Sequence, residues 1–293
     1  MIHGSITMIM EELKKIIIVA GPTASGKSDF AVLLALKHNG EVISADSRQI
    51  YRGLDIGTGK ITQEEMKGVP HYMLDICDIT ESFSVVDFKD RALPIIEDIL
   101  ARGKTPIICG GTGQYLDAVM YENDPPKVKA NPHLRTELEA LTTEELFSRL
   151  IEKDKERAET IDKHNRVRLI RALEIVETLG KVPKQTKLKK RYNFDFYLMN
   201  PSKELLEKRV HTRLLKRFDM GMIQEMESLV AQGYEVGTIA EKGIEYKWMA
   251  KYLEKKITYD ELVEHLRVAT WQYAKRQRTW NKKYMPFAIL VTI

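Results

Sequence analysis

A chain of 293 residues with a net charge of +4 has room for one large domain or a core with a smaller companion, and its average charge singles out no class of partner. At 43% hydrophobic and 30% charged it reads as globular, and no apolar run of about 18 residues is present to span a membrane. Its two cysteines, Cys77 and Cys109, exclude a disulfide framework and a four-cysteine zinc site within the chain; both are expected to pack as small apolar residues in a reducing cytoplasm.

The opening Met1 to Met10 lacks a basic flank and a small-residue cleavage site, so it makes a poor secretion signal, and Met8 and Met10 are alternative starts. The first strand is expected at Ile16–Ala20. Directly behind it stands Gly21-Pro22-Thr23-Ala24-Ser25-Gly26-Lys27-Ser28, with the spacing G-x-x-x-x-G-K-S/T. Such a loop turns backbone N–H groups and the positive end of the next helix toward a polyphosphate, while Lys27 reaches the terminal phosphates and the Ser28 hydroxyl can sit on Mg²⁺. Asp29 to Lys37 carries Phe30, Val32, Leu33, Leu34 and Leu36 without Gly or Pro and predicts the helix. Taken alone, the loop favours ATP or GTP.

A second strand, Glu41–Ala45, ends in Asp46-Ser47-Arg48-Gln49-Ile50-Tyr51. In an open parallel sheet, residues just past the C-terminal strand ends border the ligand crevice. Asp46 therefore either holds Mg²⁺ through water, or accepts a proton from a nucleophile, or merely N-caps a helix. Leu54-Asp55-Ile56-Gly57-Thr58-Gly59-Lys60 is a glycine-interrupted loop that lets a backbone approach a substrate. His71–Ile76 is a weaker strand. Ser84, three residues before Asp87, is expected to cap a helix over Phe88–Ala101. The strand Pro106–Cys109 then delivers Gly110-Gly111-Thr112-Gly113 to the same sheet edge. This alternation predicts an α/β fold, a parallel sheet flanked by helices.

After Tyr121 the texture changes. Asn123-Asp124-Pro125-Pro126 is a breaker, and Asn131 to Leu179 is helical throughout; strand character returns at Phe194–Met199 and Phe287–Ile293. The expectation is a core of residues 1–121 and 193–293 interrupted by a helical insertion, 122–192. Between Lys163 and Arg191 stand ten basic residues against two acids, and Arg267 to Lys283 adds six basic residues and no acid, interleaved with Trp271, Tyr273 and Trp280. One such cluster reads equally as a solvated helix face, whereas two beside aromatics suit a nucleic acid. His164, Arg168 and Arg171 share one helical face, with Leu169, Leu173, Val176 and Leu179 able to line another. Arg209, Arg213 and Arg217 recur every four residues of a helix starting near Ser202; they hold a diphosphate or pair with Glu204, Glu207 and Asp219.

Along nearly its whole length the chain resembles the bacterial-type tRNA dimethylallyltransferases, also called tRNA isopentenyltransferases. The matching residues in the core are 21 to 28; Asp46-Ser47 with Gln49-Ile50-Tyr51; Asp55-Ile56-Gly57-Thr58 with Lys60; Pro70-His71-Tyr72 with Leu74-Asp75; Phe83-Ser84-Val85 with Asp87-Phe88; and Gly110-Gly111-Thr112-Gly113 with Tyr115-Leu116. Further matches are Asn165, Arg168, Arg171-Ala172-Leu173-Glu174, Gly180-Lys181, Arg209, Arg213, Gly221, Gly243, Tyr246-Lys247 and Ala274-Lys275-Arg276-Gln277 with Thr279-Trp280. The chain departs from the family at His164-Asn165-Arg166, where Asn-Asp-Pro is usual; at Glu245, where glycine is common; and at Asn281, which replaces an apolar or aromatic residue.

The resemblance implies a P-loop NTPase-like core and transfer of a dimethylallyl group from its diphosphate to the exocyclic amine of the adenosine beside the anticodon of tRNA. It implies that residues Gly21 to Ser28 with Mg²⁺ hold the diphosphate, that Asp46 accepts the amine proton, and that Thr23 and Arg213 help the leaving group depart. Asp46, Ser47, Arg48, Gln49, Thr112, Val167, Arg168, Leu169, Ile170 and Arg171 match positions that touch tRNA, with the anticodon stem-loop as the part gripped. A cytoplasmic monomer is expected. The rival readings are a P-loop kinase, which needs no basic clusters, and an RNA-binding protein that keeps the loop for structure alone.

Overall fold

The structure is a computed structural model that describes residues 13–122, 126, 128, 131–183 and 189–292. The chain divides into two compact units, Met1–Glu122 with Lys190–Ile293, and Asn123–Lys189.

The larger unit is built on six strands: β1 (Lys15–Ala20), β2 (Gly40–Ser44), β3 (His71–Tyr72), β4 (Thr105–Gly110), β5 (Asn193–Met199) and β6 (Ile289–Val291). Their order is β3-β2-β4-β1-β5-β6. Every pairing is parallel, and central β1 sets Ile18 opposite both Ile108 and Phe196. The unbroken apolar run of β1 follows from burial on both faces. Ile16, Ile18 and Ala20 enter one core with Phe88, Ile96, Leu116 and Tyr284, while Ile17 and Val19 enter another with Ala31, Val32 and Ala35. The period of two along the strand sends alternate residues to opposite layers.

Helices close both faces. α1 (Lys27–His38) follows β1, the single turn α2 (Gln63–Met66) precedes β3, and α3 (Val85–Ala101) and α4 (Gly113–Met120) flank β4. Ser84 and Asp87 form the expected capping box, so α3 starts at Val85, ahead of Phe88. α1 likewise starts at Lys27 rather than Asp29: Gly26, at φ 84°, makes the left-handed turn before it, and Lys27 and Ser28 become its first turn. The weaker strand expected over His71–Ile76 is cut to two residues. Only His71 and Tyr72 pair with β2, because Met73 and Asp75 adopt left-handed φ values of 64° and 54°.

The smaller unit contains α5 (Pro132–Glu139), α6 (Thr143–Lys153), α7 (Lys155–Thr160) and α8 (Arg166–Leu179). Its own core gathers Leu138, Leu146, Leu150, Leu169, Leu173 and Val176. Leu179, expected on that face, stands 52% exposed at the last turn. The breaker residues 123–125 and the basic residues Lys184 and Lys187 lie outside the described residues.

Back in the larger unit, β5 leads to α9 (Lys203–Asp219), α10 (Met222–Ala231), α11 (Val236–Ala240), α12 (Ile244–Leu253) and the long α13 (Tyr259–Asn281). These helices share a third core with the loop residues Ile50, Leu54, Cys77 and Ile79. Cys77 and Cys109 are both free and buried. No described helix is long and apolar enough to cross a membrane.

Candidate active site

Parallel order places the C-terminal ends of β1, β2 and β4 side by side, so the three loops that leave them share one edge of the sheet. The loop Gly21 to Ser28 leaves β1 and wraps into α1 through positive φ at Ala24 (59°) and Gly26 (84°). Inside this turn the Ser25 hydroxyl is buried without a hydrogen-bond partner. A loop of curled backbone ahead of a twelve-residue helix, holding an orphaned hydroxyl, is suited to an anion.

Lys27 projects from the first turn and donates to the Pro22 carbonyl at 3.4 Å. Burial lowers its pKa below the ordinary lysine value; Cys109 and Asp46 oppose the shift and Arg213 and Arg217 add to it. Arg213 is lowered to about 10, again first by burial and then by Arg217. Three cations therefore crowd one another, and the carboxylate of Asp46 offsets the repulsion at Lys27 and Arg213. Such a cluster is stabilised by a polyanion.

Asp46 lies just past β2, and no helix follows it. Its Oδ1 accepts the Arg48 backbone N–H at 2.9 Å, closing a tight turn, so the helix-cap alternative is excluded. Ser47 donates its backbone N–H to Thr112 Oγ1 at 3.1 Å, which ties the β2 loop to the β4 loop. Gln49 donates to the Gly59 carbonyl at 3.1 Å. Lys27, Ser28, Asp46 and Gln49 border one small pocket between these loops.

Beyond it opens a cleft of about 770 Å³, whose lining includes Thr23, Lys27, Asp46, Arg217, Tyr273 and Gln277. Arg48, Lys247 and Arg276 line the same cleft and are exposed. Gln277 ties its far wall to the phosphate loop: Oε1 accepts the Thr23 N–H at 2.8 Å and Nε2 donates to the Gly111 carbonyl at 3.1 Å.

The arginine row does not pair with Glu204, Glu207 or Asp219. Arg213 donates to the Gly59 carbonyl at 2.9 Å, and Arg217 to the Gly57 carbonyl at 3.1 Å and to Glu245 at 3.2 Å. Glu245, the departure from the family glycine, thus neutralises part of a buried arginine. Sequence reasoning offered Arg217 to a diphosphate as part of the arginine row, but it did not single out Glu245 or Tyr273 for this cleft, and it quoted Gln277 only within a matching run. They come from helices some 200 residues beyond the phosphate loop, so no local pattern links them.

The residues proposed to touch tRNA divide sharply. Asp46, Ser47, Arg48 and Thr112 line the cleft. In the smaller unit, Val167 is 78% exposed and Arg168 is exposed, whereas Leu169 and Ile170 are buried in the helical core and offer no side chain to a partner. Arg171 is engaged internally, donating to buried Glu174 at 3.2 Å and to the Val128 carbonyl at 2.8 Å. The expected cationic face of His164, Arg168 and Arg171 thereby loses Arg171; Arg166, outside that face, donates to the Glu139 carbonyl at 2.6 Å.

A parallel sheet with a glycine-lysine loop after its central strand and a carboxylate at the end of the next in sequence defines a P-loop NTPase-like fold. The IPP transferase family matches residues 49–284, and the chain belongs to that family. It is 39% identical over 274 residues to a tRNA dimethylallyltransferase of an Exiguobacterium species, covering 90% of this chain and 86% of that protein. The crystal structure of the full-length tRNA isopentenylpyrophosphate transferase of Bacillus halodurans is 38% identical and superposes with a TM-score of 0.68, covering 96% of this chain and 90% of the other. A eukaryotic dimethylallyltransferase captured acting on tRNA is 28% identical, with a TM-score of 0.82 over 95% of this chain and 74% of its own.

Proposed function

We propose that this chain transfers a dimethylallyl group from dimethylallyl diphosphate to the exocyclic amine of the adenosine on the 3′ side of the anticodon in tRNA, releasing diphosphate. The observation that carries this reading is the convergence of Lys27, Arg217 and Asp46 on one cleft: a polyanion holder beside a proton acceptor. A kinase-type reading accounts for the cations but leaves the exposed basic residues at the rim without a partner.

In the transfer, the adenosine amine attacks the allylic carbon as the carbon–oxygen bond breaks, and the bonding pair leaves with the diphosphate. Lys27, Arg213 and Arg217 take up the charge that develops on the leaving group, and the N–H groups of the loop and of the first turn of α1 add their dipoles. Asp46 accepts the amine proton as the carbon–nitrogen bond forms. Thr23 borders the same cleft, beside the leaving group. Ser28 offers the hydroxyl oxygen that would hold Mg²⁺, and the ion, when bound, would supply further charge to the diphosphate, leaving Asp46 free to take the proton.

The adenosine must leave its stack to enter, and exposed Arg48, Lys247 and Arg276 are placed to hold the RNA backbone in return. A monomer is the expected state, and a tRNA substrate together with two free cysteines suits the cytoplasm.

The test is incubation with Mg²⁺, labelled dimethylallyl diphosphate and unmodified tRNA, with labelled ATP as the control donor. Label in tRNA from the prenyl donor alone is expected. Phosphate transfer from ATP without prenylation would overturn the assignment.

A further inference from the structure

The loop between Leu54 and Lys60 has two working edges. On one edge, three successive backbone N–H groups converge on a single carboxylate: Asp55, Ile56 and Gly57 donate to Glu225 at 2.8, 2.6 and 3.0 Å. Glu225 stands in the first turn of α10 and also accepts the Tyr246 hydroxyl at 2.7 Å. Tyr246 is fully buried, and its ring fills the space where a Cβ on residue 57 would lie, 2.6 Å from ring atoms. On the other edge, the carbonyls of Gly57 and Gly59 receive Arg217 and Arg213. Arg217 is 7% exposed, and its Nε is buried without a partner.

We propose that Glu225 is a positioning residue of the diphosphate site: by fixing the amide edge of residues 55–57, it sets the carbonyl edge that aims Arg213 and Arg217. The physical reason is the geometry of the peptide unit. N–H and C=O of one peptide unit point in opposite directions in a common plane, so the carboxylate that holds the Ile56 and Gly57 N–H groups also fixes the carbonyls of Asp55 and Ile56. Those carbonyls accept the Lys60 N–H at 2.9 Å and the Gly59 N–H at 3.0 Å, and the Gly59 carbonyl that receives Arg213 shares its peptide unit with that Lys60 N–H. The Gly57 carbonyl that receives Arg217 belongs to the residue whose own N–H Glu225 holds. Two arginines so close repel each other, and without fixed acceptors their guanidinium groups would separate. Glu225 acts through the loop and touches no substrate. The diphosphate as ligand rests on the function proposed above; the coupling of Glu225 to the arginines does not.

The test uses the full chain with Glu225→Gln, Tyr246→Phe, an Arg213→Ala/Arg217→Ala variant, and the combination of the last with Glu225→Gln. Inorganic diphosphate is the calorimetric probe, and tRNA affinity is measured in parallel. Glu225→Gln replaces acceptor capacity with a donor facing N–H groups, so diphosphate binding should weaken about tenfold while tRNA affinity stays within about twofold. Tyr246→Phe removes one hydrogen bond but leaves the ring against Gly57, and should weaken it about threefold. In the double-arginine background, Glu225→Gln should cost nothing further.

Diphosphate affinity unchanged in both Glu225→Gln and Tyr246→Phe overturns the proposal, as does an equal loss for diphosphate and tRNA, or a Glu225→Gln effect that persists without the arginines. Should Glu225→Gln fail to fold, Tyr246→Phe decides the matter by the same readouts. If the wild type binds diphosphate with this pattern but transfers no dimethylallyl group, the function assignment fails and the positioning role stands.

Discussion

Gln277, near the end of α13, accepts the Thr23 backbone N–H at 2.8 Å and donates to the Gly111 carbonyl at 3.1 Å, joining two loops far apart in sequence to a helix near the other end of the chain. One amide thus braces the phosphate loop against the β4 loop. Gln277 is only 6% exposed.

Replacement of Gln277 by Leu keeps the volume and leaves a buried donor and a buried acceptor unpaired, at a cost of about 1–3 kcal/mol. Thermal unfolding should show the lower stability, and calorimetry a weaker affinity for inorganic diphosphate. Retained affinity would show that the loop holds its shape without the brace.

Asp46→Asn preserves the acceptor that closes the turn with Arg48, so fold and tRNA affinity should survive. What it removes is the proton acceptor, and single-turnover transfer should slow by about 10²–10⁴. A wild-type rate would remove Asp46 as the base.

Lys27 has a pKa below that of an ordinary lysine because it is crowded by protein. A bound polyanion favours its charged form, so diphosphate binding should take up a proton at alkaline pH, and affinity should fall as pH rises through the depressed pKa. The unfolded chain binds the extra proton between that value and 10.5, so this group makes stability rise with pH in the same window. Lys27→Met should abolish the proton uptake measured by calorimetry in two buffers of different ionisation enthalpy.

Glu41 is buried under Arg102, which donates twice at 2.6 Å, with Lys104 and Tyr72 completing its shell at 2.6 and 2.8 Å. Arg102 first, and then Lys104 and Tyr72, hold the carboxyl at about 2 against the opposing cost of burial. A depressed acid pKa contributes stability that is complete above about 4.5 and is lost as pH falls toward 2. Acid titration of unfolding should show that loss, and Glu41→Gln should abolish its slope while costing ~3 kcal/mol at neutral pH.

Arg168 and Arg171 lie one turn apart yet should behave oppositely. Arg168→Ala, at an exposed site, should leave stability within about 0.5 kcal/mol and lower the salt slope of tRNA binding by about 1. Arg171→Ala uncovers the buried Glu174 and should lower the melting temperature of the smaller unit. A salt slope unchanged in Arg168→Ala would remove that residue from the RNA interface.

Much of this was written locally. The apolar run Ile16–Ala20 dictates a strand buried on both faces, the glycine-lysine spacing behind it dictates a phosphate cradle, and Ser84 with Asp87 announces the start of α3; each depends on neighbours a few residues apart, which is the range over which backbone geometry and capping operate. The same signal placed Asp46 at a strand end, and left open whether it capped a helix. Only the fold closed that question, because the chain after Asp46 turns rather than winds.

What tertiary structure alone decided is which side chains meet. Arg171 and Arg168 are the same residue type on one helix, and burial of Glu174 turned one into a structural partner and left the other to solvent. Leu169 and Ile170 sit in a basic stretch but face a core. Glu225, Glu245 and Gln277 reach residues 57, 217 and 23 from helices distant in sequence, and no periodicity records such pairings. Local sequence fixes conformation because its interactions act between adjacent residues; the cleft depends on packing between elements far apart in the chain, and that exists only once the sheet and the helices of the C-terminal half have closed around it.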